Sequence, residues 1–145
     1  MKHTISVIVE NKFGVLARIA GLFSARGYNI SSLAVSETND PNVSCMTIVV
    51  DAEDEKILEQ IKKQLNRLID VLTVTDFTKK LHVERELILI KLDLPAKSRP
   101  KLGPVLDKCG AKLIRRQEDS ATIEFTGEQE QIKGLLEGLG QFKIK

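Results

Sequence analysis

A chain of 145 residues, 42% apolar and 29% charged, can build a core as one ordinary domain or as two small ones. Its 22 basic and 20 acidic residues leave a net charge of only +2, and its aromatics are five Phe and one Tyr with no Trp. That balance argues against a general polyanion binder and against base-stacking platforms for single-stranded nucleic acid.

In chain order, Ile5, Val7 and Val9 alternate with Thr4, Ser6 and Ile8, which predicts a strand over residues 3–10. A short turn containing Asn11 and Gly14 follows. Leu16, Ile19, Ala20 and Phe23 then recur at helical spacing, and Gly27 supplies the stop, so a helix is expected over roughly 15–26. Ile30, Leu33 and Val35 mark a second strand with a slip at Ser31-Ser32, the signature of a bulge. Thr38-Asn39-Asp40-Pro41-Asn42 is turn chemistry, and a third strand runs from Val43 to Val50. Asp51 reads as the cap of a second helix carrying Ile57, Leu58, Ile61, Leu65 and Leu68. Val71 to Phe77 is a fourth β-rich run. The order β-α-β-β-α-β predicts a four-stranded antiparallel sheet with both helices on one face, the ferredoxin-like arrangement.

A polar connection near Thr78–Val83 separates this unit from a second one with the same succession. Leu87–Leu94 reads as a strand, and Leu102, Val105 and Leu106 as a short helix ending at Gly110. Ala111–Ile114 and Ala121–Phe125 flank a turn, Ile132, Leu135, Leu136 and Leu139 form another helix, and Phe142–Ile144 begin a last strand. The expected fold class is α+β: two ferredoxin-like βαββαβ domains in tandem, over residues 1–78 and 84–145.

No P-loop, G-x-G-x-x-G or G-x-S-x-G is present, and catalytic residues are not expected. His3 and His82 read as exposed residues at strand edges, without metal-ligand spacing around them. Cys45 and Cys109 stand apart in apolar surroundings and read as buried thiols, neither a disulfide nor a metal pair. The chain opens directly into a strand and no apolar run approaches the ~18 residues of a membrane span. A cytoplasmic location, without a membrane, is expected.

The stretch from Glu10 to Asn29 carries the one candidate site. A Gly-containing turn that opens a helix offers unpaired N–H groups and the positive end of the helix dipole, which suits a small anion. Asn11 and Gly14 have a plain structural reading as turn residues, and Gly27-Tyr28-Asn29 as a helix cap and connection. Together they gain weight if the first loop and the start of the second strand lie close in space, as we expect for this fold.

At this combination the chain resembles the ACT-domain family of acetolactate synthase (acetohydroxyacid synthase) small regulatory subunits. The matching segments are I-S-V-I-V-E-N at 5–11, G-V-L-A-R-I-A-G-L-F-S-A-R-G-Y-N-I at 14–30, S-L-A-V at 32–35 and M-T-I-V-V at 46–50. They continue as E-Q-I-K-K-Q-L-N-R-L-I-D-V at 59–71 and V-E-R-E-L at 83–87. The resemblance implies that the first domain is an ACT domain serving effector binding and dimerisation. It also implies a non-catalytic subunit without a cofactor of its own. Its partner would be the acetolactate synthase catalytic subunit, which carries thiamine diphosphate, FAD and magnesium. The small subunit would activate that partner and confer feedback inhibition by a branched-chain amino acid, usually valine, alternatively leucine or isoleucine.

The family's effector site maps onto Asn11, Gly14 and Asn29, with Val15, Leu16 and Ile30 as candidate apolar walls, at or near the interface of a homodimer. Backbone N–H groups at Gly14 and Val15 would receive the carboxylate. Cys45 stands where the family usually has Arg, so an Arg-dependent contact with the catalytic subunit is not carried over. Family members also continue past the position of Lys145, and the last strand is expected to be incomplete. The alternative reading is a free-standing ACT-type amino-acid sensor for another enzyme or a transcription factor. A small enzyme on the same scaffold is a third.

Overall fold

The N-terminal alternation becomes β1 (Lys2–Glu10) in the computed structural model, which describes residues 1–145. Ile5, Val7 and Val9 are wholly buried, and the residues between them are not. One further step of the same period carries His3 inside. It is 4% exposed, and its Nδ1 lies 3.1 Å from Thr78 Oγ1. The exposed His3 expected from sequence is thus corrected: the buried face of the strand begins two residues before its first aliphatic side chain.

Helix α1 (Val15–Ala25) closes in a Schellman motif, with Tyr28 N–H donating to Phe23 O at 3.0 Å and Gly27 N–H to Ser24 O at 3.1 Å. Gly27 takes φ +71 there, a conformation that glycine adopts without steric cost. Strands β2 (Ile30–Glu37) and β3 (Val43–Asp51) follow, then α2 (Glu55–Asn66) and β4 (Val71–Asp76). The cap of α2 is Asp54, whose carboxylate accepts from Ile57 N–H at 2.9 Å. Asp51, expected in that role, is still in the ladder opposite Lys2, so the chain cannot leave the sheet until after it. The strand order is β2-β3-β1-β4, and each neighbouring pair is antiparallel. Ile19 and Phe23 of α1 and Leu58, Ile61 and Leu65 of α2 pack with Ile5, Val7, Val9, Met46, Ile48 and Val50, so both helices lie on one face. The slip expected at Ser31-Ser32 appears as a register shift between Ile30 and Ser32.

The chain divides into two units, Met1–His82 and Val83–Lys145. In the second, β5 (Glu86–Asp93), a 3-10 turn, α3 (Arg99–Cys109), β6 (Lys112–Gln117), β7 (Ser120–Gly127) and α4 (Gln129–Gly138) repeat the succession of the first. Its sheet has three strands in the order β5-β7-β6. The expected final strand is reduced to one bridge, Leu92 to Ile144. It is flanked by hydrogen bonds from Asp93 N–H to Lys143 O and from Lys145 N–H to Lys91 O. Leu92, Ile123, Leu135 and Leu139 form the wholly buried centre of this unit.

Asp76, at the end of β4, gives a pH prediction. Burial pushes its carboxyl up, but hydrogen bonds from the Thr78 side chain and backbone N–H, with the Lys62 ammonium nearby, outweigh that effect. The carboxyl therefore titrates below its ordinary value of 3.8. A group depressed on folding contributes stability above its unfolded pKa and loses it as pH falls through the folded one. Asp76→Asn should therefore flatten the acid limb of thermal stability below about pH 4. Melting curves between pH 2 and 7 check this, and an acid limb as steep as wild type would refute it.

Candidate functional site

The turn between β1 and α1 is shaped by glycine. Gly14 is the N-cap of α1 at φ +79, where a side chain costs roughly 1–2 kcal/mol. No side chain caps the helix, and no acid stands in its first turn. The first N–H groups of a helix have no intrahelical acceptor, so Leu16 and Ala17 present theirs outward. Val15 N–H, expected to be free, reaches back to Lys12 O at a long 3.4 Å. The Val15 side chain is 3% exposed and belongs to the core, so it cannot wall a ligand at the surface. Leu16, 43% exposed, can.

Asn11 is fixed by the hairpin loop across from it. Its N–H donates to Asn42 O at 2.8 Å and its Nδ2 to Pro41 O at 2.9 Å. The amide oxygen accepts no hydrogen bond from the chain. Lys12 pairs with Glu10 at 2.7 Å, and that hydrogen bond raises the ammonium above its ordinary pKa.

Two residues that sequence reading passed over complete this end of the unit. Arg18, one helical turn after Gly14, donates from Nε at 3.0 Å and from Nη2 at 2.6 Å to a single oxygen of Asp70. Asp70 is 8% exposed, and its carbonyl accepts Glu10 N–H at 2.9 Å, which ties it to the end of β1. A Cβ on Gly14 would sit 3.1 Å from Arg18 Nη1, so the guanidinium lies over the turn. The spacing Gly14–Arg18 was readable as one turn of helix. Nothing in sequence paired Arg18 with an acid 52 residues later.

Asn29 and Ile30 are elsewhere. Ile30 pairs with Val50, and Val50 with His3, so the start of β2 is level with the start of β1. Asn11 follows the other end of β1, about eight residue rises or ~26 Å beyond the level of Ile30. The expectation that the first loop and the start of the second strand adjoin is therefore overturned within one chain. Strand β1 carries the chain to one end of the sheet, and α1 must return it to the other before a strand parallel to β1 can begin. The chain holds Asn11, Gly14, Val15 and Leu16 at one end of the sheet, and Asn29 and Ile30 at the other.

Between the two ends lies β2, an edge strand with only β3 as neighbour. Leu33 and Val35 stand opposite Ile48 and Met46, on the core face, yet are 41% and 40% exposed. Nothing covers the sheet at that edge. A cavity of about 510 Å³ lined by His3, Leu58, Glu59, Lys62, Asp76 and Thr78 touches none of the six predicted residues.

Comparison with known proteins adds the following. Residues 5–73 match the family described as "AHAS small subunit-like ACT domain", and residues 85–145 match "Small subunit of acetolactate synthase". A probable acetolactate synthase small subunit of Archaeoglobus fulgidus is 44% identical over 145 residues, spanning all of this chain and 90% of that protein. The acetolactate synthase small subunit of Aquifex aeolicus is 45% identical over 99% of this chain and 75% of its own length. The crystal structure of the acetolactate synthase small subunit of Thermotoga maritima superposes with a TM-score of 0.89 at 33% identity, covering all of this chain and 90% of that one. No helix is long and apolar enough to cross a membrane.

Proposed function

The chain belongs to the acetolactate synthase small-subunit family, and from that premise we propose that it binds a branched-chain amino acid, valine in the first place, and transmits that signal to an acetolactate synthase catalytic subunit. It activates the catalytic subunit in the absence of effector and confers feedback inhibition in its presence. The thiamine-dependent chemistry belongs to that partner. The family match over residues 85–145 favours this reading over a free-standing ACT sensor.

The observation that carries the proposal is the division of the site between the two ends of an uncovered edge strand. Two copies joined antiparallel along β2 would satisfy its unpaired backbone groups and cover Leu33 and Val35. A two-fold axis through that pairing sets the start of one β2 beside the end of the other. Asn29 and Ile30 of one copy then approach the Asn11–Leu16 turn of its partner. The effector's carboxylate meets the free N–H groups at the start of α1, and the amide oxygens of Asn11 and Asn29 take its ammonium. Leu16 and Ile30 flank its side chain. The 1–78 domain is thus the effector-binding and dimerising one, and 84–145 is the second domain.

An amino acid of about eight heavy atoms should bind in the micromolar-to-millimolar range. A coupling of about 1–3 kcal/mol would then shift the partner's state populations 5- to 150-fold. The test is reconstitution with the catalytic subunit from the same genome. Activity should rise on adding this chain and fall again as valine, leucine or isoleucine is titrated in. An added chain that neither binds the catalytic subunit nor alters its activity would overturn the reading.

A further inference from the structure

We propose that Arg18 is the residue that receives the effector's carboxylate, and that Asp70 is the positioning residue that holds it there; this rests on the effector site proposed above. The guanidinium is used unequally. Nε and Nη2 both donate to one Asp70 oxygen, at 3.0 and 2.6 Å. Nη1 has no such partner, and it is the atom nearest the space above Gly14, 3.1 Å from where a Cβ would stand. Its two N–H donors therefore face the same small volume as the uncapped N–H groups of α1. The side chain is 49% exposed while Asp70's is 11%, so the anchored side of the fork is inside and the free side is open.

Competing cations at this turn are few. Lys12 is more exposed, and its ammonium is taken up by Glu10 at 2.7 Å. An arginine held on one side presents a planar donor pair at a fixed angle, which suits a carboxylate better than a mobile ammonium does. The bond from Glu10 N–H to Asp70 O fixes the anchor to the strand that also ends in the effector turn. A ligand carboxylate would thus find helix N–H groups and one guanidinium edge already converging. The ligand class is an amino acid with a free α-carboxylate, and an uncharged carboxamide should be rejected.

The test uses the full chain, with calorimetric titration of valine and of valinamide into wild type, Arg18→Gln, Arg18→Lys and Asp70→Asn at neutral pH. Wild type should prefer valine by about 10- to 100-fold, the size of one charge-assisted contact. Arg18→Gln should lose most of that preference, Arg18→Lys should regain part of it, and Asp70→Asn should fall between. Thermal unfolding is followed in parallel, because an ion pair that only braced the fold would lower the melting temperature without moving the valine-to-valinamide ratio. A wild-type ratio in Arg18→Gln overturns the proposal and leaves the effector site standing. No binding of valine, leucine or isoleucine to wild type removes the effector site, and this proposal with it.

Discussion

Gly14→Asp should abolish inhibition by the effector while the reconstituted complex keeps its activation. Three effects act together at that position. The new side chain must adopt φ +79, at roughly 1–2 kcal/mol. Its Cβ would come within 3.1 Å of Arg18 Nη1, so the half-exposed guanidinium must give by a few tenths of an ångström while keeping its bonds to Asp70. Its carboxylate would then lie at an uncapped helix N-terminus beside a guanidinium, where a negative charge is worth about 0.3–1 kcal/mol to the fold. The strain is thereby partly offset, and the domain should still fold. The effector fares worse, because its carboxylate meets an occupied site of like charge. Losing charge-assisted hydrogen bonds of about 1.5–3 kcal/mol each predicts an inhibition curve shifted about 100-fold or more. Gly14→Ala separates the causes: it carries the strain without the charge and should shift the curve less. Inhibition of Gly14→Asp at the wild-type effector concentration would remove Gly14 from the site.

Much of this was legible in the sequence because it depends on periodicity and local chemistry. The strand-helix-strand succession follows from Ile5, Val7 and Val9, then Ile19 and Phe23, and then the turn at Thr38–Asn42, each a short-range signal. Gly14 and Gly27 announced themselves as turn and cap, and both take positive φ. What sequence did not reveal is long-range or directional. His3 continues an apolar face, but a histidine does not announce burial. Arg18 and Asp70 meet only after four strands are in register, and a charged residue on a helix ordinarily faces solvent. Asp51 and Asp54 are equivalent caps on paper; only the length of the β3 ladder decides between them. The separation of Asn11 from Asn29 was derivable, since a helix returning between parallel strands puts its two connections at opposite ends. A motif compared as a set hides which end of the sheet each member occupies.

That separation leads to a decisive result with mixed dimers. Gly14→Asp and Asn29→Ala should each destroy effector binding as homodimers, the first at the α1 turn and the second at the far end of β2. Asn29 is exposed and donates no bond to the fold, so its truncation should leave the chain intact. In a mixed dimer whose sites are built in trans, one site combines Gly14→Asp with the partner's truncated position 29 and is doubly damaged. The other combines an unaltered α1 turn with an unaltered Asn29. One working site per mixed dimer should therefore reappear when two inactive variants are combined, with close to wild-type affinity and half the stoichiometry. Random reassortment of subunits should recover about a quarter of all sites. If each site were contained in one chain, mixing could restore nothing, because every chain would still carry its own lesion. Titration of differentially tagged, purified mixed dimers reads the difference directly. Zero recovered sites would refute the edge-strand dimer as the origin of the effector site, because geometry within a single chain leaves Asn11 and Asn29 nine residue rises, or about 30 Å, apart along the sheet.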